Sequence, residues 1–174
     1  MIEKIKVKTA AAKETRQRIL QKVNTKAPYF WLSTWFGSGL IVPASGTWGT
    51  LFSMPLVIAL YIFGGVYALL IGAALTFAIG WWAAHQFEQK TKEHDCSMIV
   101  IDETAGMLIA ATTISGTPLS FLAAFLLFRL FDAAKPWPIK WLDKHVSGAF
   151  GVMIDDILAG IFAAAVLWGY YAYV

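Results

Sequence analysis

Pairs of acidic side chains stand at the ends of long apolar runs in this sequence, where charge is unexpected. Asp102 and Glu103 precede an apolar run that extends to Phe128, and no charged residue follows Asp155 and Asp156. Charge inside or beside a membrane-type segment is costly, and two adjacent carboxylates repel each other unless a cation or a shared proton relieves them. We therefore interpret both pairs as candidate ligands of a hard metal ion.

A third charged group lies between the two pairs. Arg129, Asp132 and Lys135 are spaced three residues apart, so successive members neighbour each other on a helix surface. Carboxylate oxygens suit Mg²⁺, Ca²⁺ or Mn²⁺, and Mg²⁺ is often shared between one or two carboxylates and a phosphate. Arg129 and Lys135 would bind the remaining charge of that phosphate. The candidate metal ligands or water activators are Asp102, Glu103, Asp132, Asp155 and Asp156. Which of these carboxylates would act as general base stays open.

Structural explanations compete with ligation at each of these positions. An acid in the first turn of a helix can stabilise the helix dipole, which would fit Asp102 and Glu103. The Arg-Asp-Lys group can be an ion pair at a membrane interface, with its lysine reaching the lipid headgroups. Two adjacent acids exceed what a helix cap needs, and Asp95 is a further acid close by. Capping and ligation therefore both stay open.

A glycine-rich segment could supply a different kind of phosphate contact. Residues 37–50 are rich in Gly, Ser and Thr and contain Pro43, a composition that disfavours a regular helix. Such a loop, placed just before a helix, can expose backbone N–H groups to an anion. Gly46, Thr47 and Gly49 are candidates to assist phosphate binding in this way, although a plain turn is the interpretation that this composition alone favours.

The composition is that of a membrane protein. Of the 174 residues, 58% are hydrophobic and 14% are charged, whereas soluble domains carry about 25% charged residues. Residues 1–30 hold eight of the fourteen Lys and Arg, and positive flanks stay on the cytoplasmic side of a membrane. We expect this basic N-terminal extension to be a solvated tail or a loosely associated helix, and residues 31–174 to form a membrane-embedded domain.

Glycine and proline divide the apolar part of the chain into helical pieces. Gly64-Gly65 splits the uncharged residues 51–84, and Ser115–Pro118 splits residues 104–128. Each split predicts a helical hairpin, and a final span is expected over residues 152–174. The expected fold class is all-α, a polytopic helical membrane protein with short hairpins and a metal site at the cytoplasmic face. Five spans result if every piece crosses the membrane, and fewer if a first half of either hairpin is re-entrant.

A phosphate at a membrane face indicates a phospholipid headgroup, so these residues favour metal-assisted phosphoryl transfer on a lipid. A small cation carrier or channel subunit is the main alternative, because acid pairs also line ion paths, although Arg129 and Lys135 would repel cations. A structural membrane subunit, whose charges only set topology, is the third. The single Cys96 excludes an internal disulfide and a multi-cysteine metal site. No nucleic acid partner is expected, and the oligomeric state is left open by the sequence.

Four blocks of the sequence resemble the phosphatidylglycerophosphatase A family, in the family's order and over roughly residues 35–165. The blocks are Gly46–Gly49, Ile101–Met107, Phe128–Ile139 and Gly151–Gly160. They contain the same acids, Arg129, Lys135 and glycine segment that the charge pattern singles out. One position departs from the family pattern, because Ser45 stands where the family usually has Pro.

The resemblance implies a function more specific than the charges alone. It implies a Mg²⁺-dependent enzyme of the bacterial inner membrane that hydrolyses phosphatidylglycerophosphate to phosphatidylglycerol and phosphate. This reaction is the last step in the synthesis of that lipid. Together with the topology argument, the expectation is a multi-pass protein whose active site faces the cytoplasm.

Overall fold

The chain is described by a computed structural model that covers residues 2–93 and 96–173. All regular secondary structure in this part of the chain is helical, which confirms the expected all-α class. The helices are α1 (Ile2–Leu20), α2 (Pro28–Ser33), α3 (Ser45–Thr91), α4 (Ile101–Ala110), α5 (Pro118–Ala134), α6 (Ile139–His145) and α7 (Gly148–Tyr173). Short 3₁₀ turns precede α3 at Ser38–Leu40 and follow α4 at Ala111–Thr113.

The long helix α3 reverses direction at Gly65. The backbone of this residue has φ 58° and ψ −148°, a combination that only glycine adopts readily. Beyond the break, Leu60 packs so closely on Gly72 that a Cβ atom on the glycine would lie 2.6 Å from the leucine Cδ1. Residues 45–64 and 66–91 therefore form a hairpin of two helices, as the Gly64-Gly65 pair predicts.

The second predicted hairpin is shorter and more deeply buried. Its first half, α4, has ten residues, nine of them buried, and spans about 15 Å at the α-helical rise. Because the hydrocarbon core of a bilayer is about 30 Å thick, α4 is too short to cross it. Of the alternatives left open by the sequence, the re-entrant one fits residues 104–115. The chain then returns through α5, which starts with Pro118 in its first turn and Thr117 as its side-chain cap.

Two glycines let α4 press against α5 and α7. A Cβ atom on Gly106 would lie 2.5 Å from the Phe128 ring and equally close to the Asp156 carbonyl. A Cβ atom on Gly160 would collide with the carbonyl oxygen of Gly106. This close packing brings the first turn of α4, which carries one acid pair, beside the first turns of α7, which carry the other.

The helical body has two distinct ends. At one end the turns of both hairpins meet the last turns of α7, since the Ser115 hydroxyl lies 3.4 Å from the Tyr171 hydroxyl and Gly116 lies against Tyr61. At the other end α3, α4 and α7 begin and α5 finishes. All the charged residues singled out in the sequence that the structure describes lie at this second end.

Within the described residues, two helices are long and apolar enough to cross a membrane by length and composition, namely α3 and α7. The hairpin of α3 leaves many large apolar side chains exposed; Phe63 and Tyr67, for example, are 89% and 81% exposed. Such a surface suits contact with lipid. These features give limited support to the predicted membrane association.

The basic N-terminal segment packs more closely than expected over its second half. The Arg16 guanidinium is buried and its Nη1 donates to the Leu40 carbonyl at 2.9 Å, and Lys22 donates to the Thr91 carbonyl at 3.2 Å. Ile19 is also buried. From Arg16 onward the segment is therefore not the solvated tail or loose helix that the composition suggests, because the side chains of Arg16 and Lys22 donate hydrogen bonds to backbone carbonyls of the helical body.

Candidate active site

A polar cleft of about 370 Å³ opens at the end of the molecule where α3, α4 and α7 begin. The structure brings eight of the predicted site residues together along its walls. They are Gly46, Asp102, Glu103, Arg129, Asp132, Lys135, Asp155 and Asp156. Residues separated by more than a hundred positions in the sequence therefore meet in one cleft. This is the expected result if each predicted hairpin returns the chain to the side on which it started.

Three of the five predicted carboxylates form one compact group. Asp102, Glu103 and Asp156 each offer an oxygen, and these oxygens lie within 4.8 Å of one another. Asp102 Oδ1, Glu103 Oε2 and Asp156 Oδ2 are buried, with no hydrogen-bond partner among the described residues. Buried carboxylate oxygens in that state are costly, and a divalent cation bound between the three carboxylates would offset that cost. The group therefore fits a hard metal ion in both donor type and spacing.

The surroundings of α4 disfavour negative charge on its two acids when no cation is near. Burial raises the pKa of Asp102 well above its usual range, and the neighbouring carboxyls raise it further. Burial also raises the pKa of Glu103 to about 8, although its contact with Asp102 and the charge of Arg129 act in the opposite direction. A bound cation would reverse this preference, because it favours the charged forms.

Arg129 is held at the edge of the acid group by contacts on three sides. Its Nη1 lies 2.6 Å from Asp132 Oδ2 and 3.9 Å from Glu103 Oε1, and it donates to the Thr50 hydroxyl at 3.4 Å. Asp132 is therefore ion-paired and lies outside the three-oxygen group. The guanidinium carries five N–H donors, so these contacts leave donors for an anion in the cleft.

Lys135 is the first residue beyond α5, and its side chain bridges α6 and α7. Its ammonium group donates to Asp143 and, at 2.5 Å, to Asp155 Oδ2. Burial lowers the pKa of Lys135, but these two hydrogen bonds outweigh burial and raise it above its usual value. Asp155 is therefore engaged by a lysine, in contrast with its neighbour Asp156. With three donors on its nitrogen, Lys135 keeps one for a ligand.

The glycine segment differs from the expected loop, because α3 already begins at Ser45. The backbone at Gly46 packs against Glu103 and Arg129, so that a Cβ atom there would lie 3.0 Å from Arg129 Nη2 and collide with Glu103 Oε1. The open N–H groups of this first turn and the positive end of the helix dipole favour an anion. The helix can begin at Ser45 because Pro43 lies before it and therefore does not interrupt it.

Two members of the predicted phosphate cradle lie away from the cleft. Thr47 is exposed, and Gly49 packs against Val100, where it allows α3 and α4 to approach closely. Ser45, where the sequence is expected to depart from the family pattern, is the first residue of α3 and lines the cleft. Proline is common at that helix position because of its fixed φ, so a helix start suits either residue.

Sequence reasoning missed two polar side chains at the site, Thr50 and Asp143. Thr50 belongs to the uncharged stretch that reads as a membrane helix, but its position one turn after Gly46 places it on the same face. Asp143 belongs to a basic polar stretch and carries no signal of its own. The predicted sixth acid, Asp95, lies outside the described residues.

Comparison with known proteins agrees with the resemblance carried by the four blocks. The family profile of phosphatidylglycerophosphatase A matches residues 31–171. The chain belongs to the phosphatidylglycerophosphatase A family. The matched range starts after the basic extension and includes every described residue of the cleft.

Three curated relatives cover most of the chain. A protein named phosphatidylglycerophosphatase A from Haemophilus influenzae is 40% identical over 155 residues, which cover 88% of this chain and 95% of the relative. Its Escherichia coli namesake is 37% identical over 143 residues, 81% of this chain and 82% of the relative. A Bacteroides thetaiotaomicron protein, provisionally named a phosphatidylinositol-3-phosphatase, is 38% identical over 140 residues, 76% of this chain and 86% of the relative. No solved structure shows a significant match to the chain.

Proposed function

We propose that this protein is a Mg²⁺-dependent lipid phosphatase that hydrolyses phosphatidylglycerophosphate to phosphatidylglycerol and phosphate. The observation that carries the proposal is the group of three buried carboxylates beside Arg129, each with one oxygen that has no hydrogen-bond partner among the described residues, in a chain of this family. Oxygen ligands alone favour Mg²⁺, Ca²⁺ or Mn²⁺ over zinc. Of these ions, Mg²⁺ most commonly shares its coordination between carboxylates and a phosphate.

Asp102, Glu103 and Asp156 would hold the metal. When bound, the metal would supply charge neutralisation at the phosphate and acidify a bound water. Asp132 and Asp155 act differently in this proposal, because each is already paired with a cation. They would hold Arg129 and Lys135 in place, much as outer carboxylates orient ligands around other metal sites.

The phosphate would lie between Arg129, Lys135 and the first turn of α3. Arg129 would bind two phosphate oxygens with its remaining donors, and Lys135 would bind a third. The N–H groups after Ala44 would bind the same anion, because the positive end of the helix dipole lies at that turn. Gly46 would be required there since a side chain would displace Glu103 and Arg129.

The reaction itself needs no covalent intermediate on the protein. Water forms a new bond to phosphorus, the bond from phosphorus to the glycerol oxygen breaks, and a proton reaches that oxygen. The products are inorganic phosphate and the lipid alcohol. The site is proposed to face the cytoplasm of a bacterial inner membrane that the chain crosses more than once, because the basic segment packs at the same end as the cleft.

A phosphate-release assay on the purified protein tests the proposal. The substrates are phosphatidylglycerophosphate, phosphatidic acid and phosphatidylinositol-3-phosphate in matched mixed micelles, each with Mg²⁺ and with a chelator. We expect release from phosphatidylglycerophosphate with Mg²⁺ and none with the chelator. Preferential release from phosphatidylinositol-3-phosphate would contradict the substrate assignment and favour the activity for which the Bacteroides relative is named.

The assay also separates this function from the alternatives of another class. A cation carrier or a structural subunit would release no phosphate from any of the three lipids. Asp156→Asn serves as the matched inactive variant, with its elution in size-exclusion chromatography as the check of folding. Full activity in that variant would remove the proposed role of the carboxylate group.

A further inference from the structure

An apolar groove of about 540 Å³ runs along the outside of the helical body, between the first half of α3 and α5. No charged residue lines it. Its more buried members are Met54, Tyr61, Phe121 and Phe125. Its exposed members on the two walls include Leu51, Ile58, Ile62 and Leu122. The edge-to-face contact of Tyr61 with Phe121, at 5.5 Å between ring centroids, lies toward the end farther from the charged cleft.

The groove begins where the charged cleft ends. At the cleft, Gly46 and Thr50 of α3 face Arg129 of α5. Met54 lies one helical turn beyond Thr50, and Phe125 lies one turn before Arg129. Residues four apart share a helix face, so the two faces that enclose the guanidinium continue directly as the two walls of the groove.

The length of the groove matches one half of a bilayer. From Leu51 to Ile62 the α3 wall extends about 16 Å at the α-helical rise. Half of the hydrocarbon core is about 15 Å. A chain that starts beside Arg129 and follows the groove would therefore reach the middle of the membrane.

We infer that the groove holds one acyl chain of the lipid substrate while the phosphate of the same molecule lies in the cleft. The inference rests on the proposed function. Cationic Arg129 and the first turn of α3 complement the anionic end of such a lipid, and the uncharged groove complements its chain. Burial of methylene groups then contributes binding energy that a headgroup alone lacks, so the groove would favour long-chain substrates over short-chain ones.

Groove-filling substitutions test this inference. Ile58→Trp and Leu122→Trp add bulk to the two walls, and Leu126→Trp is the matched control, since Leu126 is exposed on α5 but does not line the groove. Each variant is assayed on phosphatidylglycerophosphate with palmitoyl chains and with butanoyl chains. We expect about a tenfold fall in kcat/KM for the long-chain substrate in both groove variants, the effect of about two methylenes losing contact. The kcat/KM of the groove variants for the short-chain substrate, and that of the control variant for both substrates, should stay near the wild-type value.

The outcomes separate this inference from the proposed function. If the wild-type protein releases phosphate from neither substrate, the proposed function fails, and the groove assignment fails with it. If the wild-type protein is active and the groove variants keep their kcat/KM, or lose it equally for both substrates, the groove assignment alone is overturned.

A binding readout guards against variants that fold poorly. A phosphatidylglycerophosphate analogue with a photoreactive group in one acyl chain should label the wild-type protein at Met54 or Phe125. Excess unlabelled phosphatidylglycerophosphate should compete for that labelling. Labelling that ordinary phospholipid suppresses equally well would assign the groove to bulk lipid, and cross-links between two copies through the groove would assign it to a dimer. Either result overturns the inference.

Discussion

The two helical hairpins of this protein have the same design in sequence but different positions in the fold. The α3 hairpin carries no charge from Ser45 to Ala84 and exposes large apolar side chains such as Phe63. In the α4–α5 hairpin, α4 is almost wholly buried and carries Asp102 and Glu103 in its first turn. One hairpin therefore presents a surface suited to lipid, and the other holds two acids of the site in the interior of the helical body.

This difference explains how carboxylates can occupy so apolar a chain. An acid on the exposed hairpin would have no partner and a high desolvation cost. On buried α4, the same acids meet Asp156, Arg129 and the proposed cation. The contrast teaches that the presence of charged and polar partners, more than local hydropathy, decides where charge is tolerated here.

The largest effect is expected from the three-oxygen group. Asp102→Asn or Asp156→Asn should lower phosphate release by more than about 100-fold, exceeding the 10–100-fold typical of residues that only support a metal ligand. The measurement is kcat/KM for phosphatidylglycerophosphate at saturating Mg²⁺. Phe63→Ala in the exposed hairpin is the control and should leave activity unchanged. A loss of activity in Phe63→Ala comparable to that in Asp102→Asn would contradict the proposed difference between the two hairpins.

The next largest effect is expected at the first turn of α3. Gly46→Ala forces Glu103 or Arg129 to move, and a misplacement of about 1 Å at a site can cost roughly 100-fold in rate. Gly169→Ala is a matched control, because a Cβ atom there meets nothing within 4 Å. Phosphate release measured on both variants gives the comparison. Wild-type activity in Gly46→Ala would show that the close approach of α3 to the acids is not required.

A smaller graded effect is expected where Lys135 bridges two elements. Lys135→Ala leaves buried Asp155 without its cation and should reduce kcat/KM by about 10–100-fold. Asp143→Asn removes the more exposed partner and should cost only a few-fold, because pairs near solvent contribute little. The two variants are compared in the same assay. An Asp143→Asn loss larger than that of Lys135→Ala would reverse the order of importance.

The smallest functional effect, but a clear loss of stability, is expected at the contact between α4 and α7. Gly160→Ala places a Cβ atom against the Gly106 carbonyl and should destabilise the fold by about 1–3 kcal/mol. Thermal unfolding in detergent measures the change, again beside Gly169→Ala. A midpoint equal to that of the control would show that α4 is packed less tightly than the geometry indicates.

Some of this architecture follows from the sequence because local chemistry dictates it. The reversal at Gly65 requires a glycine, and the Gly64-Gly65 pair identifies it. The convergence of the acid pairs at 102–103 and 155–156 follows from counting hairpins, since each hairpin returns the chain to its starting side. The four blocks then connect the same residues with the family whose profile matches.

Other features depend on packing that no local pattern records. The helical start at Ser45 is hidden by a composition typical of turns, and Asp143 becomes a partner only because α6 places it beside Lys135. Asp155 and Asp156 are adjacent and chemically alike, yet the first faces a lysine and the second faces the other acids. Their separation into two environments comes from the orientation of α7, which the sequence does not specify.

The central claim is that Asp102, Glu103 and Asp156 bind one divalent cation together. Mn²⁺ titration followed by electron paramagnetic resonance on the purified protein, with Mg²⁺ as competitor, tests it most directly. We predict Mn²⁺ binding that Mg²⁺ displaces in the wild-type protein and that Asp156→Asn abolishes while the variant keeps its size-exclusion profile. Equal Mn²⁺ binding by the wild-type protein and Asp156→Asn would contradict the claim.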